Sequence, residues 1–110
     1  MILNRYDIFM AQYPFTDLSF IKTRPILILK NFEGNNALVC QITTKRHNLK
    51  KYEIILKSQD CNQALRMDSF IYVDMITTLH KNKLVKKLGS IVNTNLFNEI
   101  NDKLKLLLFT

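Results

Sequence analysis

Between residues 6 and 76 the apolar residues of this chain fall in short runs of five to eight, each closed by a turn-forming segment before a helix could develop. Tyr6 to Gln12 is rich in aromatic and branched side chains and runs up to Pro14, which suits a strand ending in a loop. Pro25 to Leu29 and Ala37 to Ile42 flank Asn31-Phe32-Glu33-Gly34-Asn35-Asn36, a strong turn segment, and predict a hairpin. Tyr52 to Leu56 and Ser69 to Ile76 add two strands, the second alternating Phe70, Tyr72 and Asp74 with Ile71, Val73 and Met75. The polar stretch from Ser58 to Met67 has room for a helical turn, and residues 81 to 92 for a short turn of helix followed by a strand. Only the last segment is different. With Asn93 or Thr94 as cap, Leu96, Phe97, Ile100, Leu104, Leu107 and Leu108 form a one-sided stripe at helical spacing. Many short strands and one amphipathic helix predict a mainly β fold with a C-terminal helix. The expected architecture is a small, strongly bent antiparallel sheet or partly open β-barrel, with residues 1–110 as a single domain.

A fold of this size carries its charge on its surface, and the charge is one-sided. Sixteen Lys+Arg stand against nine Asp+Glu, a formal net charge of +7. The excess is shared by both halves of the chain, so the basic face belongs to the fold, and an anionic partner follows, nucleic acid first. Lys45, Arg46, Lys50 and Lys51 form a local cluster with His47 among them and Glu53 alone in opposition. Cys40 and Cys61, with only His47 and His80 to accompany them, give no zinc or iron–sulfur spacing. Cys40 lies in the apolar run Ala37-Leu38-Val39-Cys40 and reads as a buried small hydrophobe. Met1-Ile2-Leu3-Asn4-Arg5 does not open a secretory signal and no apolar stretch has membrane-spanning length, so a cytoplasmic location is expected. Composition and patterning alone reach a basic, β-rich, nucleic-acid-binding domain.

Four segments in order go further. Tyr6-Asp7-Ile8-Phe9 leads into Pro14-Phe15-Thr16-Asp17, and Lys22-Thr23-Arg24-Pro25-Ile26-Leu27-Ile28-Leu29 follows. Leu38-Val39-Cys40-Gln41-Ile42-Thr43-Thr44-Lys45 comes next, then Met67-Asp68-Ser69-Phe70-Ile71-Tyr72-Val73-Asp74 continuing into Lys83-Leu84-Val85-Lys86-Lys87-Leu88-Gly89. This ordered set resembles the MazF/PemK family of toxins from bacterial type II toxin–antitoxin pairs. The resemblance implies an SH3-like, MazF-like barrel with a C-terminal helix, usually a homodimer. It implies a sequence-specific, metal-independent and cofactor-free endoribonuclease that cuts single-stranded RNA and so inhibits translation and growth. It also implies a cognate antitoxin whose disordered C-terminal segment lies over the RNA site.

Residue by residue, the family's active-site arginine, in an Arg-Pro pair opening the second strand, corresponds to Arg24. Its active-site threonine, at the end of the third strand, corresponds to Thr43, with Thr44 taking that place if the register slips by one. Attack of an RNA 2′-OH on phosphorus gathers charge on phosphoryl oxygens, which a guanidinium and a hydroxyl can stabilise. Lys22, Thr44, Lys45, Arg46, Lys50 and Lys51 are then expected to bind RNA, the basic loop tracking its backbone. Three departures stand out. Where some relatives carry an arginine and an aspartate after the fifth strand, this chain has Thr77 and His80. His80, with an ordinary pKa of about 6.5, is a candidate general base. The usually glycine-rich loop is Leu18-Ser19-Phe20-Ile21 here, whose Phe20 is placed to stack on a base. The position before Asp7, commonly glycine, is Tyr6. Because of Thr77 and His80, a non-catalytic toxin of the same fold, acting by gripping protein or RNA, is the alternative.

Overall fold

The sequence alternates apolar and polar positions only in places, because several strands are covered on both faces. In a computed structural model describing residues 2–14, 21–48, 50–63, 65 and 67–110, strands β1 (Asp7–Pro14), β2 (Ile21–Asn31) and β3 (Asn36–Thr43) are followed by β4 (Glu53–Leu56) and a single 3-10 turn (Ser58–Asp60). Then come β5 (Ser69–His80), a second 3-10 turn (Lys81–Lys83), β6 (Leu84–Ser90) and helix α1 (Thr94–Phe109). The six strands form one antiparallel sheet in the order β4-β5-β3-β2-β1-β6. Each apolar run lies in a strand, and the helical stripe is α1. Three strands outrun their apolar cores: β1 reaches Pro14, β5 reaches His80, and β2 opens at Ile21 rather than at the Arg24-Pro25 pair. Backbone pairing continues there through polar residues, which side-chain patterning does not report.

One face of the sheet gathers Ile8, Leu27, Cys40, Ile42, Ile54 and Ile71 under α1, which contributes Leu96 and Ile100. The other buries Phe9, Ala11, Ile26, Ile28, Val39, Leu79 and Leu84, with Leu3 laid across them. The central strand β2 therefore reads as an unbroken apolar run. Cys40 is buried in the first cluster, and burial pushes its thiol well above its ordinary range.

Bulges curl the sheet. The β3·β5 register passes from Gln41↔Tyr72 to Cys40↔Ile76, leaving Val73, Asp74 and Met75 as extra residues on β5. The register of β6 against β1 shifts twice. The two edge strands β4 and β6 do not pair with each other. Instead Cys61 bridges to Ile91, Asn62 N donates to Ser90 O at 3.0 Å, and Ser90 N donates to Asn62 Oδ1 at 2.8 Å. The barrel is thus partly open. Gly89 lies under this seam, where a Cβ would stand 3.1 Å from Asn62 Oδ1.

Buried carboxylates secure the ends. Asp60 accepts from Lys57 N and from Asn93 Nδ2, while its carbonyl accepts from Val92 N; Asn93 in turn caps α1 by accepting from Asn95 N. Asp7 accepts from Asn4 N and Ser90 Oγ. Between these anchors Tyr6 adopts φ 73°, the left-handed conformation that favours glycine. Its ring stacks on Phe97 of α1 with centroids 4.0 Å apart and planes 7° from parallel. Side-chain packing here offsets backbone strain. Replacing Tyr6 by Gly and by Ala separates the two, since both variants lose the stack and only Gly relieves the backbone. Tyr6→Gly should be more stable than Tyr6→Ala by about 1 kcal/mol, the reverse of the usual order, as measured by urea unfolding.

Candidate active site where β2 and β3 part

Pro25 has no N–H for a ladder, so it fits only where one side of its strand is unpaired. The β1·β2 ladder runs through Met10↔Pro25 and on to Pro14↔Ile21, whereas the β2·β3 ladder ends at Ile26↔Gln41. Beyond that point the two strands are no longer paired. Ile26↔Gln41, Leu27↔Cys40 and Ile28↔Val39 share one register, which, carried two residues on, sets Arg24 level with Thr43. Side chains alternate along a strand, so Arg24 shares its face with Ile26, and Thr43 shares its face with Gln41. The basic group and the hydroxyl thus flank the same gap on the same face. On the other face a cleft of about 610 Å³ opens, lined by Met10, Pro25, Ile42, Thr44, Leu65, Met67, Ser69, Lys86 and Leu88.

Thr43 is buried, and its Oγ1 accepts a hydrogen bond from Lys45 N at 3.1 Å. With that lone pair engaged, the hydroxyl proton is left to donate. The segment after Thr43 is fixed by a network that begins at Glu53 on β4. The Glu53 side chain is only 4% exposed and accepts from Arg46 Nε at 3.1 and 3.0 Å and from Arg46 Nη2 at 2.8 Å. Tyr72, wholly buried on β5, donates its hydroxyl to Glu53 Oε1 at 2.8 Å and accepts from His47 N at 2.6 Å. The His47 ring meets Tyr72 edge-on, 5.1 Å between centroids. Arg46 also lies over Phe70, its Cζ 5.4 Å from the ring centroid, and Phe70 is the β5 partner of Thr43. The hydrogen bonds from Arg46 hold the Glu53 carboxyl below the usual carboxylate range. Burial raises the Tyr72 phenol.

The expected site residues separate into groups. Arg24 and Thr43 fall opposite each other when the β2·β3 register is continued two residues past its last pair, Ile26↔Gln41. Thr44 faces the cleft on the opposite side of the sheet, while Lys22, Lys45 and Lys50 are exposed. Arg46 belongs to the basic cluster in sequence but is ion-paired in space. Lys51 is turned toward Tyr52, with Nζ 5.5 Å from the ring centroid. Phe20 lies outside the described residues. His80 is elsewhere in the chain: it pairs with Asn36, seven positions along β3 from Thr43, or about 23 Å. There its Nδ1 accepts from Asn82 N and caps the second 3-10 turn. Its candidacy as general base is therefore corrected, because β5 is longer than its apolar core and carries residue 80 to the far end of the sheet. Thr77, paired with Val39, is likewise away from Arg24. Sequence reasoning passed over Glu53, Phe70 and Tyr72; the one available signal was a single acid facing a basic cluster. Among the described residues no three His, Cys, Asp or Glu side chains group so as to hold a metal ion.

Comparison with known proteins gives this arrangement a family. The sequence model of the PemK-like, MazF-like toxins of type II toxin–antitoxin systems matches residues 4–108. The chain belongs to that family. A mycobacterial endoribonuclease solved in complex with its cognate antitoxin superposes with a TM-score of 0.73 at 21% identity, over 96% of this chain and 93% of that one. A second mycobacterial endoribonuclease gives 0.68 at 22% identity, covering 93% of this chain and 86% of the other. The Mycobacterium tuberculosis toxin MazF-mt6 gives 0.67 at 24% identity, over 90% of this chain and 96% of that one. By sequence, no match arises among curated proteins.

The Glu53 network makes a prediction about pH. Its folded-state pKa is depressed, so its stabilisation is present above the ordinary carboxylate pKa of about 4.3 and is lost as pH falls through the folded value. Glu53→Gln should lower the urea midpoint at pH 7, and the gap to the unaltered protein should close as the solution is acidified below that range.

Proposed function

We propose that this toxin is an endoribonuclease that cuts single-stranded RNA at the gap between β2 and β3, with Arg24 and Thr43 at its catalytic centre. The reading is supported by the pairing register of β2 and β3, which, continued two residues past its last pair at Ile26↔Gln41, would bring Arg24 opposite Thr43 on one face. Family membership, the endoribonuclease relatives and the net charge of +7 support the same substrate.

The step suited to these groups is an internal transesterification. The RNA 2′-oxygen forms a bond to the adjacent phosphorus as its proton leaves, the bond from phosphorus to the 5′-oxygen breaks, and that oxygen takes up a proton. The ends are a 2′,3′-cyclic phosphate and a 5′-OH, and no water is consumed. Negative charge grows on the phosphoryl oxygens during this step, where the Arg24 guanidinium and the Thr43 hydroxyl donate. The need for a 2′-OH selects RNA over DNA. Lys22, Lys45 and Lys50 then attract the flanking phosphates. A homodimer would extend this basic surface, and the cognate antitoxin would act by covering it.

Incubating the purified protein with a long RNA in EDTA and mapping the new ends is the direct test. Arg24→Ala should slow cleavage by about 10²- to 10³-fold and Thr43→Ala by about tenfold or more, while His80→Ala leaves the rate unchanged. Absence of cleavage by the folded wild-type protein would favour a non-catalytic toxin of the same fold.

A further inference from the structure

Arg46 is an arginine in a basic loop, and such residues are usually taken as phosphate contacts. Its surroundings argue for another use. Nε and Nη2 are both given to Glu53, so the guanidinium carries little uncompensated charge toward solvent. Glu53 cannot turn away, because Tyr72 donates to the same carboxylate from beneath. The guanidinium is therefore held in one orientation. Phe70 backs it at 5.4 Å, yet the side chain is still 46% exposed. Nearly half of the side chain thus stays open to solvent.

Position matters as much as orientation. Phe70 is paired with Thr43, one strand over, at about 5 Å. Ile55, paired with Phe70 on its other side and 47% exposed, continues the same face. A strand of RNA with its phosphate at Arg24 and Thr43 would pass over these residues. Guanidinium planes, like aromatic rings, are surfaces on which unpaired bases stack, and a surface fixed in advance binds with less loss of conformational freedom.

We propose that Arg46, clamped by Glu53 and backed by Phe70, is a stacking platform for the nucleobase next to the phosphate held at Arg24 and Thr43. This rests on the RNA-cleaving function proposed above. Arg46 then contributes through its plane, whereas Lys45 and Lys50 contribute through their charge.

The experiment uses an RNA oligonucleotide spanning the mapped cut site, with a 2′-deoxy nucleotide at the attacking position so that it binds without being cut. Matched oligonucleotides are abasic at one flanking nucleotide or the other. Kd is measured over a salt series for the wild-type protein and for Arg46→Lys, Arg46→Ala and Lys45→Ala. Loss of the base at one flanking position, and Arg46→Lys, should each weaken binding by about five- to a hundredfold, and the two losses should not add. Arg46→Lys and Arg46→Ala should leave the slope of log K against log salt unchanged, while Lys45→Ala flattens it by about 0.7. The platform is overturned if Arg46→Lys binds as the wild type does, or if Arg46→Ala flattens the slope as Lys45→Ala does. It is overturned with no variant at all if neither abasic RNA binds the wild-type protein more weakly. A wild-type protein that neither cuts nor binds RNA overturns the enzyme itself and the platform with it.

Discussion

β2 is paired with β1 through Pro25 and down to Ile21, but with β3 only as far as Ile26. The candidate site depends on that asymmetry. A ladder continued past Pro25 would need an N–H that proline lacks, and strands hydrogen-bonded through this stretch would leave no separation between Arg24 and Thr43. Because β1 holds β2 in place on its other side, the gap is flanked by two supported strands. Thr43 is anchored in the same way, through its pairing with Phe70 of β5. The catalytic pair proposed here therefore sits on rigid elements with a break between them, the kind of support that fixes reacting groups more closely than a loop can.

A second constraint is the Glu53 carboxylate. A buried acid must be paired and hydrogen-bonded, and Glu53 meets that demand with Arg46 and Tyr72. Tyr72 at the same time receives His47 N, so one buried charge orders the turn that follows Thr43. That turn also contains Lys45, whose N–H orients the Thr43 hydroxyl. Folding and chemistry meet at this point: the network that satisfies a buried charge in the sheet also sets the geometry of a hydroxyl beside the gap.

Much of the fold was legible in the sequence because short apolar runs, turn segments and a helical stripe each have a distinct period. The ends of β2 and β5 were not, since residues such as Lys22, Thr23, Thr77 and Thr78 pair through their backbones and leave no apolar trace. That mattered for His80. The family resemblance set it at the acidic position that some relatives carry after the fifth strand, yet the extra turnless length of β5 carries it to the opposite end of the sheet. Arg24 and Thr43 were named through family resemblance, and they lie two residues past the last β2·β3 pair, Ile26↔Gln41, where the register would carry them opposite each other. Glu53 looked like a lone acid opposing a basic loop; its burial follows from the β4·β5 pairing, which no local pattern encodes. Tyr6 stands where relatives commonly have glycine, and its φ of 73° shows that the backbone demand persists without the glycine.

The most direct measurement is a crystal structure of the protein bound to RNA carrying a single 2′-deoxy nucleotide at the attacking position. The account predicts that the phosphate which follows that nucleotide lies in the gap between β2 and β3, with its non-bridging oxygens within hydrogen-bond distance of the Arg24 guanidinium and Thr43 Oγ1. A well-ordered RNA whose uncut phosphate lies elsewhere on the sheet, with Arg24 and Thr43 untouched, would contradict it.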